Sequence, residues 1–299
     1  MKSSSSIDEV IVERPPDNPL DGIMYRNYRH ARPCFGASIR SRHKFPFCPN
    51  ITSLIAVSLM RMNDFDGKQF LADVRSGDFA HAGEEESIQL MFTKIPKKSD
   101  RLILDAGCGR GGTADYVHRN GWGDVVGIDV EAQSIEYAQN KYPELKFEVC
   151  DVCDVGFLYP HAFDLIYMFN AFYAVEDKAA AMQALRHTAK SGATLCIFDY
   201  TMLKPETPMP EVMLSNTPAT PDEFLTLLKN SGFKLIDNLN LDQKYIEWYR
   251  AFVSRFDALE LKEKYPEDKI AGVREKYSAL LQAHEEGLFG GTLLTAVAE

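Results

Sequence analysis

The chain has 299 residues, 45% apolar and 25% charged, with 33 Lys+Arg against 43 Asp+Glu. This composition excludes wholesale disorder, the length suits one large domain or two small ones, and no repeat period of about 20 to 50 residues suggests a solenoid. A net charge of −10 argues against a partner held by bulk phosphate attraction, so no nucleic-acid partner is expected. Six scattered cysteines are too few for a disulfide framework and imply a reduced, cytoplasmic setting. Cys150 and Cys153 have C-x-x-C spacing, but there is no second pair for zinc and no helix start for redox chemistry. They read as positions at a strand and its exit, and no metal is expected.

Residues 1–61 carry nine Lys+Arg and five Asp+Glu, a balance of +4, against −14 for the remainder. Four serines open this segment, and Pro15, Pro16, Pro19, Pro33, Pro46 and Pro49 break any sustained period, so it reads as an irregular extension. Its apolar run at residues 51–60 is roughly half of what spans a bilayer and lies too far in for a usual secretory signal, so no membrane partner is expected. The segment is expected to be dispensable, with Met60 or Met62 as a possible working start; the alternative is an arm that folds over a site or pairs with a partner.

From residue 62 the punctuation becomes regular. Residues 65–75 and 84–93 read as helices, the second with three acids in its first turn, where the helix dipole favours them. Glu84, Glu85 and Glu86 themselves read as a solvated helix start. Residues 101–105 form a short apolar strand, followed by the turn Ala106-Gly-Cys-Gly-Arg-Gly-Gly112 and a helix to Arg119. Strands at 125–129, 146–152 and 163–169 alternate with a helix at 133–141, which is the βαβ pattern of a parallel sheet. A helix at 177–190, a strand at 193–200, a five-proline loop to Pro221, a capped helix to Asn230 and a strand at 234–240 follow. Residues 242–286 read as two helices divided at Tyr265-Pro266, and a closing strand spans 291–298.

Gly107, Gly109 and Gly112 satisfy G-x-G-x-x-G, which alone is weak evidence for a dinucleotide. Asp105 stands two residues before Gly107. An anion there repels a diphosphate but accepts a hydrogen bond from an ammonium, which points to a ligand with a ribose and an amino acid. Gly111 or Gly112 could serve only to let the helix pack on the sheet.

Asp105-Ala-Gly-Cys-Gly-Arg-Gly111 resembles the first motif of the class I S-adenosylmethionine-dependent methyltransferases, and more narrowly the small-molecule type 11 and type 25 domains. Asp129 matches the acid that this family directs at the ribose hydroxyls, Asp151-Val152 the place beside the adenine, and residues 163–173 the fourth strand and its exit. The resemblance covers roughly residues 65–299. It implies an α/β, Rossmann-like, seven-stranded and mostly parallel sheet with its last strand antiparallel. Residues 62–96 would then be N-terminal helices, 97–201 the cofactor core, 202–241 and 291–299 the rest of the sheet, and 242–290 a helical lid between strands six and seven. It also implies S-adenosylmethionine as cofactor and S-adenosylhomocysteine as product. The cofactor residues it implies are Asp105, Ala106, Gly107, Cys108, Gly109, Asp129, Val130, Asp151, Val152, Phe169 and Asn170.

Methyl transfer from a sulfonium is an in-line displacement, so the protein mainly aligns donor and acceptor in a dry site. The expected acceptor is a small molecule, nitrogen slightly ahead of oxygen, and the protein a monomer or homodimer. Asn170-Ala-Phe-Tyr173 lacks the prolines of N-P-P-Y enzymes, and a shifted register makes Tyr173 the candidate for orienting the acceptor or relaying its proton. His81 is the second catalytic candidate, since an unperturbed imidazole titrates near neutrality; a structural loop histidine is the alternative. Tyr245, Trp248, Tyr249 and Arg250 are candidates for an acceptor wall, against the alternative of an amphipathic helix packing on the sheet. A nucleic-acid or protein methyltransferase and a cofactor-binding protein without turnover are the competing readings.

Overall fold

The computed structural model describes residues 62–208 and 217–299, so the expectations for residues 1–61 and for the middle of the proline-rich loop lie outside the described residues. Seven strands form one sheet: β1 (Leu102–Ala106), β2 (Asp124–Asp129), β3 (Lys146–Val149), β4 (Phe163–Phe169), β5 (Ala189–Met202), β6 (Phe233–Asn240) and β7 (Phe289–Ala298). Their order is β3-β2-β1-β4-β5-β7-β6. The pairs of β1, β2, β3, β4 and β5 are parallel, and β7 runs antiparallel to both β5 and β6. The order reverses at β1, between β2 and β4, which opens a crevice at the carboxyl ends of the strands.

The helices are α1 (Phe65–Arg75), α2 (Glu84–Phe92), α3 (Gly112–Arg119), α4 (Ala132–Lys141), α5 (Val155–Leu158), α6 (Lys178–Thr188), α7 (Pro221–Ser231), α8 (Asp242–Ser254), α9 (Leu259–Lys264) and α10 (Glu267–Glu285). α7 starts on the expected reciprocal cap: Glu223 N–H donates to Thr220 Oγ1 at 3.2 Å and Thr220 N–H to Glu223 Oε2 at 2.7 Å. The sheet separates two apolar layers. One holds Phe70, Phe92, Tyr167, Phe198, Tyr245 and Phe252 beneath α1, α2 and the α8–α10 insert; the other holds Phe163, Ile166, Phe172, Leu185 and Phe224 beneath α6 and α7.

Three elements depart from the sequence reading. α6 stops at Thr188 and β5 begins at Ala189, before the glycine expected to end the helix. The amides of His161 and Ala162 take the carbonyls of His187 and Thr188, each at 2.9 Å, so neighbouring chain caps the helix early. The third strand ends at Val149, because Asp151 caps a 3-10 turn at Val152–Asp154. The insert holds three helices: besides the break at Pro266, Ala258 adopts an extended backbone between α8 and α9 with no glycine or proline to mark it.

Candidate active site

A cavity of about 820 Å³ opens at the carboxyl ends of β1, β2 and β4. Its floor is the glycine turn. The amides of Gly107 and Cys108 both donate to Ile128 O, at 2.8 and 2.9 Å, clamping the turn to β2. Gly107 has φ +87°, and a Cβ there would lie 2.5 Å from Ala171 Cβ, so the turn is pressed against the segment leaving β4. Gly111 has φ +83°, and a Cβ there would lie 2.8 Å from the Phe147 ring; that glycine serves helix packing.

Two carboxyl groups face this turn. Asp105 is 2% exposed and takes one side-chain hydrogen bond, from the Tyr167 hydroxyl at 3.1 Å. Burial, reinforced by the charge of Asp129, pushes its carboxyl up to about 8. A buried acid with one donor at a cavity wall fits an incoming ammonium, which would draw it back to the ionised form. Asp129 is more fully engaged. Its Oδ1 accepts from Lys68 Nζ at 3.1 Å and Glu131 N–H at 2.9 Å, and its Oδ2 from Lys68 Nζ at 3.0 Å and Gly109 N–H at 2.9 Å. Lys68 was not legible as a site residue, because nothing in the sequence pairs α1 with the end of β2.

Val130, Asp151 and Val152 line the same end of the cavity. Asp151 Oδ1 accepts from Cys153 N–H at 2.9 Å and so starts the 3-10 turn that carries Val152. Cys108, Gly109, Phe169 and Asn170 also line the cavity, whereas Ala106, fully buried between neighbouring strands, does not. Asn170, at φ +44°, accepts from Ala82 N–H at 3.1 Å and donates to the Tyr245 hydroxyl at 2.9 Å, tying β4 to the His81 loop and to α8.

The loop before α2 is locked over the turn through Asp78, which binds Arg110 at 3.0 Å, the Tyr142 hydroxyl at 2.8 Å, and Lys141. Burial works against its charge, but bonds from Lys141, Arg110 and Tyr142 hold its carboxyl below the ordinary range. His81 lines the cavity yet is no base at neutral pH. Its Nε2 meets Thr113 Oγ1 at 2.9 Å, its Nδ1 lies 3.1 Å from both Ala82 O and Ser87 Oγ, and its ring stacks on Phe169. Burial drives its pKa down to about 3, so the expectation of a base titrating near neutrality is corrected to a structural histidine.

At the other end stand Tyr173, Tyr200, Tyr277, Met62, Asn63 and Leu71. The Tyr173 amide donates to Asp199 Oδ2 at 3.0 Å, its hydroxyl to Asn63 Oδ1 at 3.3 Å, and its ring meets Tyr200 edge-on at 4.9 Å. Burial pushes the phenols of Tyr173 and Tyr200 upward and that of Tyr277 up to about 12, so all three are neutral at physiological pH. Asp199, fully buried behind them, is pushed by burial up to about 7. Its one sequence signal was an acid inside an otherwise apolar strand.

The expected acceptor wall on α8 is corrected, since none of Tyr245, Trp248, Tyr249 and Arg250 lines the cavity. Tyr245 stacks on Phe198 at 5.3 Å between centroids, and Tyr249 joins Tyr200 through their hydroxyls within the core. Trp248 donates to Glu86 Oε2 at 2.9 Å, and Arg250 pairs with Glu285 in solvent. The apolar face of α8 packs on the sheet, as its helical spacing also allowed. Tyr277 of α10 reaches the cavity in its place. The acids opening α2 are likewise anchors: Glu84 binds Arg75 at 2.6 Å and Arg255 at 3.1 Å, and Glu86 binds Lys244 at 2.8 Å.

Residues 103–192 match the family model of the methyltransferase domain. The matched residues run from β1 through β4 and hold the glycine turn with both acids beside it, so this segment carries the methyltransferase domain. The chain is 27% identical over 237 residues to phosphoethanolamine N-methyltransferase 3 of Arabidopsis thaliana, covering 74% of this chain and 45% of that protein. It is 32% identical over 116 residues to ajmaline N-methyltransferase of Rauvolfia serpentina, covering 36% and 39%. Its fold matches phosphoethanolamine N-methyltransferase 2 of Haemonchus contortus, solved with phosphomonomethylethanolamine and S-adenosylhomocysteine, with TM-score 0.71 at 18% identity over 78% of this chain and 57% of that one. The chain spans less than half the length of the curated relatives named here.

Proposed function

We propose that this chain transfers a methyl group to a nitrogen of a small-molecule amine. S-adenosylmethionine supplies an activated methyl on a sulfonium. Asp105 would hold the ammonium of its amino-acid part, Asp129 the ribose hydroxyls, and Val130, Asp151 and Val152 the adenine, with the amides of the glycine turn close behind. Tyr173, Tyr200 and Tyr277 would orient the acceptor with neutral hydroxyls and ring faces, and ring faces favour a cation by about 0.5–2 kcal/mol. The observation that carries this reading is the pair Asp105 and Asp129 on either side of the turn, at one end of a cavity whose other end is a tyrosine cluster. The N-methyltransferase names of the relatives support nitrogen as the acceptor atom. The described cations that line the cavity are committed elsewhere: Lys68 to Asp129, Arg110 to Asp78, and Lys178 to the carbonyls of Tyr173 and Val175 at 3.3 and 2.8 Å.

The test is a screen of amines, phenols and carboxylates with methyl-labelled cofactor. Label should enter amines first. Tight uptake of S-adenosylhomocysteine with no label in any acceptor would favour binding without turnover, and transfer confined to phenols would move the acceptor atom to oxygen.

A further inference from the structure

A carboxylate offers about four acceptor positions, and in Asp129 all four are taken. Two are filled by the amides of Gly109 and Glu131, which the turn and the start of α4 hold in place. The other two are filled by Lys68, whose ammonium rides on a flexible four-carbon stem and forms a buried pair with Asp129, each side chain 9% exposed. A ribose diol must donate two hydroxyls to reach this acid, so two positions have to be vacated, and Lys68 is the donor free to move.

We propose that Lys68 is an exchange residue: it holds Asp129 in the free protein and yields its two acceptor positions to the cofactor's ribose, so that cofactor binding competes with an internal cation. This rests on the reading of the cavity as a cofactor site. The exchange also ties the two ends of the cavity together, because Asn63, just before the helix that carries Lys68, binds Tyr173. Lys68 is thus a positioning residue that reports cofactor occupancy to the acceptor wall.

Calorimetric titration of the full chain with S-adenosylhomocysteine tests this through affinity alone. Lys68→Met removes the competitor and leaves Asp129 without its cation, so it should bind roughly three- to tenfold more tightly and melt lower when free than the unaltered chain. Lys68→Arg keeps the charge and grips both oxygens with a planar fork, so it should bind more weakly by a similar factor. Opposite signs for the two variants support the exchange. Weaker or unchanged binding by Lys68→Met overturns it, and if that variant does not fold, equal or tighter binding by Lys68→Arg does so instead. Failure of the unaltered chain to take up S-adenosylhomocysteine would overturn the cofactor reading itself, and this proposal with it.

Discussion

The two ends of the cavity are built by different means. The end under β1, β2 and β3 is backbone-made: a turn clamped by two amides to Ile128 O, and two acids fixed at strand ends. The tyrosine end is side-chain-made, assembled from α1, the exit of β4, the end of β5 and α10. A turn whose residues are consecutive in the chain can be read from a motif, even though its clamp to Ile128 lies on the next strand. A wall made of side chains from four distant elements, three of them bringing a tyrosine ring, depends on tertiary packing. The difference predicts that substitutions at the first end act on cofactor affinity and stability, and those at the second on the acceptor.

The largest effect should come from Asp129→Ala, which strands Lys68 without a partner in a buried site. Loss of one member of such a pair costs about 3–5 kcal/mol, so thermal unfolding should shift down markedly while S-adenosylhomocysteine affinity falls by more than about tenfold. A variant with unchanged affinity would break the comparison at its firmer end.

Asp105→Asn should weaken cofactor binding by about tenfold without that stability loss. With its carboxyl raised to about 8 in the free protein, Asp105 binds a proton below that pH that an incoming ammonium would expel. Affinity should therefore fall as pH drops below 8, by up to about tenfold per unit, and level off above it. The stability of the free protein runs the opposite way with pH. The raised pKa favours the fold most at low pH, and that contribution declines as pH climbs from the ordinary carboxylate range through 8; Asp105→Asn should remove this slope. Calorimetry in buffers of different ionisation heat would count the released proton.

At the other end, Tyr200→Phe and Tyr277→Phe should raise the acceptor KM several-fold and leave S-adenosylhomocysteine affinity within about twofold, which steady-state kinetics beside calorimetry would separate. Arg250→Ala, in an exposed pair with Glu285 outside the cavity lining, should shift stability by less than about 0.5 kcal/mol and leave kinetics unchanged. A large KM change in that variant would restore α8 to the acceptor wall.

Short apolar runs and Gly-rich punctuation are local signals and made the strands and the glycine turn legible, whereas the seven-stranded sheet with its antiparallel last strand followed from the family resemblance. Asp129 could be placed at a strand end, but its partner Lys68, 61 residues earlier, could not. Tyr173, singled out from its position after β4, lines the cavity. The α8 aromatics were not, because the spacing of Tyr245, Trp248 and Tyr249 suits a ligand wall and a buried helix face equally, and only the packing on Phe198 decides. The two readings of His81, base or structural loop histidine, stay level in the sequence, because an imidazole titrates near neutrality only while solvated and the loop's sequence does not show its burial against Phe169 and Thr113.

The central claim is that a buried acid before the glycine turn receives a cationic amino-acid group. Calorimetric titration of the full chain with S-adenosylhomocysteine from pH 6 to pH 9 tests it most directly. The expected result is saturable binding that tightens toward pH 8 and releases a proton at the lower pH values, with both features lost in Asp105→Asn. Binding insensitive to pH and to that substitution, or no binding at all beside firm uptake of a dinucleotide, would contradict it.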